Sequence, residues 1–329
     1  MVTGGAGFIG SHLTDAFLAR GDEVTVLDDL ITGRPGRLDP GVTLHRGSIV
    51  DAGLLTRLTQ QSRPQLICHL AAQIDVRHSV TDPAHDARVN VVGTVNVLEA
   101  ARAAGARVLF ASSGGALYGR DAPVPSGEDV LPEPESPYGV AKHCAEQYIG
   151  LYNRLHGAHH SVLRLANVYG PRQDPSGEAA VIPIFCTRVL AGEAPLIYGD
   201  GAQTRDYVHV RDVVRSFLAA ADCGRPGTWN IGVGTEVSVL RLVGIIAGIA
   251  GHPVTPQFAA PRAGELTRSA VAVRRAARDL DWRAVTGLAD GVRTVYQWIE
   301  AGAPDRALAG TPSAPAAAPE PGGHARAGG

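Results

Sequence analysis

The sequence predicts an α/β protein: a Rossmann-like doubly wound parallel sheet with a smaller, discontinuous α/β substrate domain. Three observations carry this. Apolar runs of strand length alternate with stretches of helix length through residue 166, the pattern of a parallel sheet covered on both faces. The chain opens on Gly4-Gly5-Ala6-Gly7-Phe8-Ile9-Gly10, spaced so that a strand can turn tightly into a helix. An acidic pair, Asp28-Asp29, ends the next apolar run, about 20 residues past the glycine turn, where a dinucleotide fold holds the adenosine ribose hydroxyls.

In chain order, Met1-Val2-Thr3 is the end of a short first strand. Only these residues precede the glycines, which leaves no room for a signal peptide and points to a natural start slightly upstream. Gly4, Gly7 and Gly10 let the backbone approach a phosphate. The N–H groups of the first helical turn, at Phe8 and Ile9, and the positive end of its dipole face that anion. Leu13, Phe17 and Leu18 then share one helix face, and Gly21 stops the helix. The second strand, 23–30, delivers Asp28 and Asp29. No Arg follows directly to receive a 2′-phosphate, which favours NAD over NADP.

A third strand spans 43–49, and Asp51 caps a helix after it. Residues 65–72 read as a buried parallel strand by their apolar run. Asp82-Pro83 starts a long helix, carrying Asn90 and Asn96, that ends near Gly105. A strand at 107–113, a helix at 136–156 opened by Ser136-Pro137 and a strand at 161–166 complete the first unit. After Gly170 segments shorten and Pro and Gly become frequent, as expected of a smaller domain laid over the crevice. Residues 206–221 return to the first domain. From Gly302 the chain is Ala, Pro and Gly with almost no large apolar residue, and it is expected to be a disordered tail.

The formal net charge of −2 gives no reason to expect a nucleic-acid or membrane partner. Cys68, Cys144, Cys186 and Cys223 form no C-x-x-C pair. They read as thiols in a reducing compartment, the cytoplasm, not as a disulfide frame, and no metal site is expected. No apolar run reaches the roughly 20 residues that span a bilayer.

Tyr138-Gly139-Val140-Ala141-Lys142 puts a phenol and an ammonium at i and i+4 on one helix face. A cation beside a phenol favours phenolate, so the tyrosine is expected to fall from about 10 towards neutrality and to serve as a base for a substrate hydroxyl. Alone, the pair is an ordinary surface pair. Upstream, Ser112-Ser113 ends a strand where the sheet meets the ligand crevice, and either hydroxyl could hold the same substrate oxygen. Alone, this is a capped turn. The weight lies in the combination of glycine turn, acid, Ser pair and Tyr-x-x-x-Lys.

That combination resembles the extended short-chain dehydrogenase/reductase family, in its NAD-dependent sugar epimerase/dehydratase branch, and the UDP-glucose (UDP-galactose) 4-epimerase group within it. Further matching motifs are His69-Leu70-Ala71-Ala72-Gln73, Asn90, Asn167-Val168-Tyr169-Gly170-Pro171-Arg172 and Gly199-Asp200-Gly201-Ala202-Gln203-Thr204-Arg205-Asp206-Tyr207-Val208. The resemblance covers residues 1 to about 300. It implies an NAD site built from Gly4, Gly7, Phe8, Ile9, Gly10, Asp28, Asp29, Ser48, Ile49, Leu70, Ala71, Ala72, Gln73, Asn90, Tyr138 and Lys142. It implies Tyr138 as the base for the sugar 4-hydroxyl and Lys142 on the nicotinamide ribose, depressing the tyrosine. Asn167, Arg205 and Arg262 resemble ligands of the nucleotide diphosphate, Glu265 of the uridine ribose, and Val181, Ile182 and Pro183 the segment that wraps the nucleotide. Tyr207 and Ser269 complete the implied substrate site. The implied division is 1–166 with 203–225 for NAD, 167–202 with 226–301 for the nucleotide sugar, and 302–329 as tail. The implied assembly is a homodimer through the helices at 83–104 and 136–157.

The chain departs from the pattern in places. Gly47-Ser48-Ile49 lacks the usual acid near the adenine. The catalytic hydroxyl normally stands four residues before the Tyr of the Tyr-Gly pair, and counting back from Tyr118 reaches Gly114. A loop one residue longer would let Ser113 serve, with Ser112 second. Gly115 and Ala116 replace the acidic pair of dehydratases. Asp174 stands where similar uronate epimerases have Arg, which disfavours a sugar carboxylate. Ser269 is small at the position that excludes acetamido sugars. The expectation is NAD-dependent 4-epimerisation of a UDP-hexose, N-acetylated forms included. The alternatives are a UDP-uronate 4-epimerase, dehydratase, 2-epimerase or reductase of the same family, or a non-catalytic NAD-binding regulator.

Overall fold

Val108 and Phe110 face one apolar core while Leu109, between them, faces another, so the strand that carries them is covered on both sides. Burying each such side chain stabilises the fold by about 1.5–3 kcal/mol, and this two-sided burial organises the whole sheet. The computed structural model of the chain describes residues 1–175, 180–262, 266–303 and 305.

The first half runs β1 (Val2–Thr3), α1 (Phe8–Ala19), β2 (Thr25–Asp28), β3 (Thr43–Arg46), α2 (Ala52–Ser62), β4 (Leu66–His69), α3 (Val76–Thr81), α4 (Pro83–Ala87), α5 (Gly93–Ala104), β5 (Arg107–Ser113), α6 (Gly114–Leu117), α7 (Pro137–His156) and β6 (Ser161–Leu165). It continues as β7 (Asn167–Tyr169), α8 (Val181–Leu190), β8 (Leu196–Tyr198), β9 (Thr204–Arg205), β10 (Tyr207–His209), α9 (Val210–Cys223), β11 (Gly227–Ile231), β12 (Val237–Ser238), α10 (Val239–Ala250), β13 (Gln257–Ala259), α11 (Arg274–Leu280) and α12 (Leu288–Glu300).

Seven parallel strands form the main sheet in the order β11-β6-β5-β4-β1-β2-β3. The order reverses between β1 and β4, and a crevice opens there beyond the carboxyl ends of the strands. Helices α1 and α9 pack together on one face; α2, α5 and α7 cover the other. A third apolar core joins α8, α10 and α12.

Local chemistry sets the element ends. Asp51 accepts from the Leu54 N–H at 2.9 Å as a helix cap, worth about 1 kcal/mol. Ser136 does the same for α7, with Pro137 in its first turn. Gly105 and Gly157 end α5 and α7 at φ +68° and +62°, where a side chain would be strained.

The structure refines one expectation and corrects another. The helix expected from 83 to 104 forms, with a π-turn, Arg88–Val92, set into it between α4 and α5, and Asn90 lies on that turn. Asn90 and Gln73 exchange hydrogen bonds, 3.0 Å from the Gln73 N–H to Asn90 Oδ1 and 2.9 Å from Asn90 Nδ2 to the Gln73 carbonyl, and the wider turn accommodates that clamp. The stretch from 226 on is not confined to a smaller unit. Gly227–Ile231 is the outermost strand of the main sheet, paired with β6, and Ala276, Leu280 and Trp282 belong to the core beneath it. Among the described residues no helix is long and apolar enough to cross a membrane.

Candidate active site

The glycine turn builds one wall of the crevice. Gly4 sits at φ +71°, and a Cβ there would lie 2.7 Å from the Ala71 backbone nitrogen. A side chain on Gly10 would run into the Gly4 carbonyl. Strand and helix therefore meet backbone to backbone. Gly7 caps α1 without a side-chain hydrogen bond, so the N–H groups of the first turn, at Phe8 and Ile9, remain for an anion. Leu70 and Ala71 donate their N–H groups to the Thr3 carbonyl at 3.1 and 3.0 Å, locking the end of β4 beside the turn, with Ala72 following half-buried.

Asp28 is buried at the end of β2. Its Oδ2 accepts from the Ala6 N–H and its Oδ1 from the Leu30 N–H, both at 2.9 Å, which leaves acceptor capacity on both oxygens. Burial pushes its carboxyl above the ordinary value. Asp29 is exposed and accepts from the Ile31 N–H at 3.1 Å. Ser48 Oγ accepts from the Val50 N–H at 3.2 Å, so its hydroxyl shapes its own turn, and Ile49 is buried in the core. An uncapped helix start, a close glycine turn and a buried acid fit a dinucleotide such as NAD.

On the other side of the switch point, α7 carries Tyr138 and Lys142. Lys142 is buried; its ammonium donates to the Ala111 carbonyl at 3.0 Å and lies 4.6 Å from the Phe110 ring centroid and 5.9 Å from that of Tyr138. Burial pulls it down from 10.5 to about 8, while Asp86 and Glu146 pull it back up. Tyr138 is half-buried overall, but its hydroxyl end is enclosed. In the protein chain alone the phenol does not fall towards neutrality: burial pushes it up to about 12, Asp86 adds to this, and a hydrogen bond with Ser113 works downward. The expected neighbour is in place, but enclosure and the Asp86 charge set the phenol's level.

The structure separates the two serines. Ser113 acts on the Tyr138 phenol, and its Oγ accepts from the Ala116 N–H at 3.2 Å as the cap of α6. Gly114 opens that short helix and packs against the end of β6 and Val271, whose Cγ1 would lie 2.8 Å from a Cβ there. Ser112 instead donates to Glu146 at 2.5 Å, inside a buried network. There the Arg164 guanidinium pairs with Glu146 at 2.6 Å and donates to the Tyr118 hydroxyl at 2.9 Å, which donates to Asn230 at 2.7 Å. Ser112 is thus held in that network instead of facing the Tyr138 phenol.

Of the implied substrate residues, Asn167 on β7 and Arg205 on β9 are half-buried; the Asn167 N–H donates to the carbonyl of Asp206, next to Arg205, at 2.9 Å. Arg262 is exposed, its guanidinium 3.9 Å over the Tyr198 ring. Ser269 borders a small recess with Gly114, Gly115, Tyr118, Ser126 and Arg268. Two residues fall elsewhere than expected. Ile182 and Tyr207 are buried in the third core, Tyr207 edge-on to Tyr169 with centroids 6.5 Å apart; Val181 is half-buried beside them. Glu265 lies outside the described residues.

Sequence reasoning missed Tyr198, Asp86, Glu146 and Arg164. An aromatic directly before Gly199-Asp200-Gly201 signals the first. Glu146 stands four residues past Lys142, on the same helix face, and Asp86 four before Asn90. Among the described residues no cluster of His, Cys, Asp or Glu could hold a metal.

The NAD dependent epimerase/dehydratase family matches residues 1–232. A UDP-glucose 4-epimerase of Mycolicibacterium smegmatis is 46% identical over 305 residues, covering 91% of this chain and 97% of that protein. The crystal structure of the Thermotoga maritima UDP-glucose 4-epimerase with UDP-glucose superposes with a TM-score of 0.90 at 40% identity, covering 92% of this chain and 98% of that one. That of the Thermus thermophilus UDP-glucose 4-epimerase with NAD gives 0.85 at 39%, covering 91% and 98%. With its parallel sheet, glycine turn and Tyr138–Lys142 pair, the chain belongs to the NAD-dependent epimerase/dehydratase family.

Proposed function

We propose that the chain interconverts UDP-glucose and UDP-galactose by NAD-dependent 4-epimerisation, and that Tyr138, Ser113 and Lys142 carry the chemistry. The observation behind the residue assignment is the buried Lys142 ammonium 5.9 Å from the Tyr138 ring centroid, with the Ser113 hydroxyl acting on the same phenol from the end of β5, beside the point where the strand order reverses. Tyr138 takes the proton of the sugar 4-hydroxyl and returns it once the 4-keto sugar has presented its other face. Ser113 hydrogen-bonds the same oxygen and steadies its changing charge. Bound along the glycine turn, NAD supplies the hydride acceptor and donor for the sugar C4, and its positive ring favours the phenolate. Lys142, held cationic, favours it too.

Asn167, Arg205 and Arg262 are assigned to the diphosphate, where guanidinium forks make strong charge-assisted contacts. Glu265 is assigned to the uridine ribose by likeness to the family. A neutral hexose fits best. Asp174, which would repel a sugar carboxylate, is paired with Arg34 at 2.9 Å, and Gly115 and Ala116 offer no acid for dehydration. Ser269 is small and half-buried at the edge of a narrow recess, and by likeness to the family a small residue there admits an N-acetyl group, so UDP-N-acetylhexosamines are also substrates. A homodimer is favoured by the apolar stripe Val140, Cys144, Tyr148, Leu151 and Leu155 along α7, where Val140 is 54% and Leu155 65% exposed. Four free thiols suit a reducing compartment such as the cytoplasm.

The test is to incubate purified protein with a panel of UDP-sugars and separate the products by chromatography. UDP-glucose and UDP-galactose should reach one mixture from either side. Absence of interconversion with NAD bound overturns the reading.

A further inference from the structure

We propose that Asp86 is a positioning residue for the reaction: the buried counter-charge of the Lys142 ammonium, which sets the pH interval in which Tyr138 and Lys142 work together. The proposal deepens the 4-epimerase reading and rests on it. Asp86 is 0% exposed. Its Oδ1 accepts from Gln73 Nε2 at 2.8 Å and Asn90 Nδ2 at 2.9 Å, while its Oδ2, equally buried, has no hydrogen-bond partner. Two neutral amides on one oxygen are a poor substitute for water around a carboxylate, so a buried acid of this kind needs a cation nearby.

The cation comes from α7, which packs against α4, α3 and the π-turn. From α7, Tyr138 and Lys142 feel the Asp86 charge, and Glu146 acts on Lys142 from beyond. On its own helix Asp86 has His85, whose ring meets that of His78 on α3 edge-on at 5.6 Å. Asp82, Arg77 and Arg88 are exposed. From β4, His69 feels Lys142 but stays neutral, pulled down to about 3 by burial. Lys142 is the one buried cation in this group. The same carboxylate is tied through Gln73 and Asn90 to the strand end beside the glycine turn, so the clamp that shapes the cofactor wall also fixes the charge on the catalytic helix.

The sign follows from the charges. Asp86 holds a proton on Lys142 and also on Tyr138. Removing its charge makes both easier to deprotonate, so both limbs of the pH–rate profile move the same way.

The experiment is the pH dependence of kcat/KM for UDP-glucose in the NAD-loaded enzyme, with Asp86→Asn and Asp86→Glu. Asp86→Asn should slide both limbs towards acid by about one unit, and Asp86→Glu, keeping the charge, should leave them in place whatever it does to kcat. Limbs that stay put in Asp86→Asn, with only an overall loss of rate, overturn the proposal. A thermal-unfolding cycle of Asp86→Asn, Lys142→Met and the double variant tests the pair without any activity. The double variant should be more stable than the sum of the single Tm shifts predicts, and additive shifts refute the pairing. If the wild-type enzyme turns over no UDP-sugar, the cycle still decides the coupling of Asp86 and Lys142 while the epimerase reading falls separately. Should Asp86→Asn alone fail to fold, a folded double variant supports the pairing and an equally unfolded one counts against it.

Discussion

Ser113 caps the short helix Gly114–Leu117, its Oγ accepting from the Ala116 N–H at 3.2 Å, and its hydroxyl acts downward on the Tyr138 phenol, although it stands one place too early by the count back from Tyr118. Gly114, the residue the count reaches, is packed against the backbone carbonyls of Arg164 and Leu165, 3.2 and 3.3 Å from where its Cβ would be.

Ser113→Ala should therefore lower kcat by roughly 10²-fold or more, with KM for UDP-glucose little changed. Ser112→Ala should keep kcat within a few-fold of wild type and lose stability instead. It removes one donor from the buried Glu146 carboxylate, which costs about 1–3 kcal/mol. Steady-state kinetics and urea unfolding on both variants check this; the reverse outcome would exchange the roles of the two serines.

Lys142 gives activity and stability opposite responses to alkali. Burial pulls it to about 8, so turnover should decline as pH rises through that value and the ammonium is lost. Between about 8 and its ordinary 10.5 the unfolded chain holds a proton that the folded chain has released. Its contribution to stability therefore rises with pH in that window. Tyr138, pushed up to about 12, opposes this only above 10, where the unfolded chain gives up its phenolic proton first. Turnover at pH 9 should be reduced while the urea midpoint is not. A midpoint that drops in parallel with turnover would show that alkali unfolds the protein instead.

Much of this was legible in the sequence, because the relevant constraints are local. A glycine turn, an acid at the second strand and a Tyr-x-x-x-Lys pair each state a short-range geometry, and the alternation of strands and helices fixes the sheet. What was not legible depends on distant pairing. Gly227–Ile231 joins the sheet only because β6 offers it a free edge, and nothing in its own five residues says so. Tyr207 has the composition of a site residue and the position of a core one, decided by its contact with Tyr169. The level of the Tyr138 phenol is set by enclosure, which spacing cannot express. Ser112 and Ser113 are adjacent in sequence, and only their partners tell them apart, Glu146 on α7 for one and the Ala116 N–H of α6 for the other.

Acid should weaken the fold before it titrates most carboxylates. His69 is buried between the Thr3 and Thr94 hydroxyls, at 2.8 and 3.1 Å, and is pulled down to about 3; His160 and His209, also buried, are pulled down to about 4. Unfolded, each takes up a proton near 6.5; folded, each resists until pH 3 to 4. Stability held at neutral pH is therefore lost progressively as pH falls from 6.5, by a few kcal/mol for a single histidine shifted this far. Urea midpoints measured from pH 7 to 4 should fall steadily, and His69→Gln, which keeps hydrogen-bonding groups without the imidazole, should flatten part of that slope. An unchanged slope would mean that His69 does not stay neutral.

The recess beside Ser269 yields the sharpest test of substrate range. It is narrow, bordered by Gly114, Gly115 and Ser126 but also by Tyr118, Val124, Leu266 and Arg268. Ser269 is half-buried at its edge, so a bulky ring there would stand in the way of an acetamido group. Ser269→Tyr should leave kcat/KM for UDP-glucose within a few-fold of wild type and reduce that for UDP-N-acetylglucosamine by at least 10-fold, about 1.4 kcal/mol of lost transition-state binding. The larger residue removes an option by steric exclusion, so the loss should appear for the N-acetylated substrate alone. Equal losses for both sugars would mean that the ring disturbs the catalytic serine. No turnover of the acetamido sugar by the wild-type enzyme would mean that another wall closes the recess first.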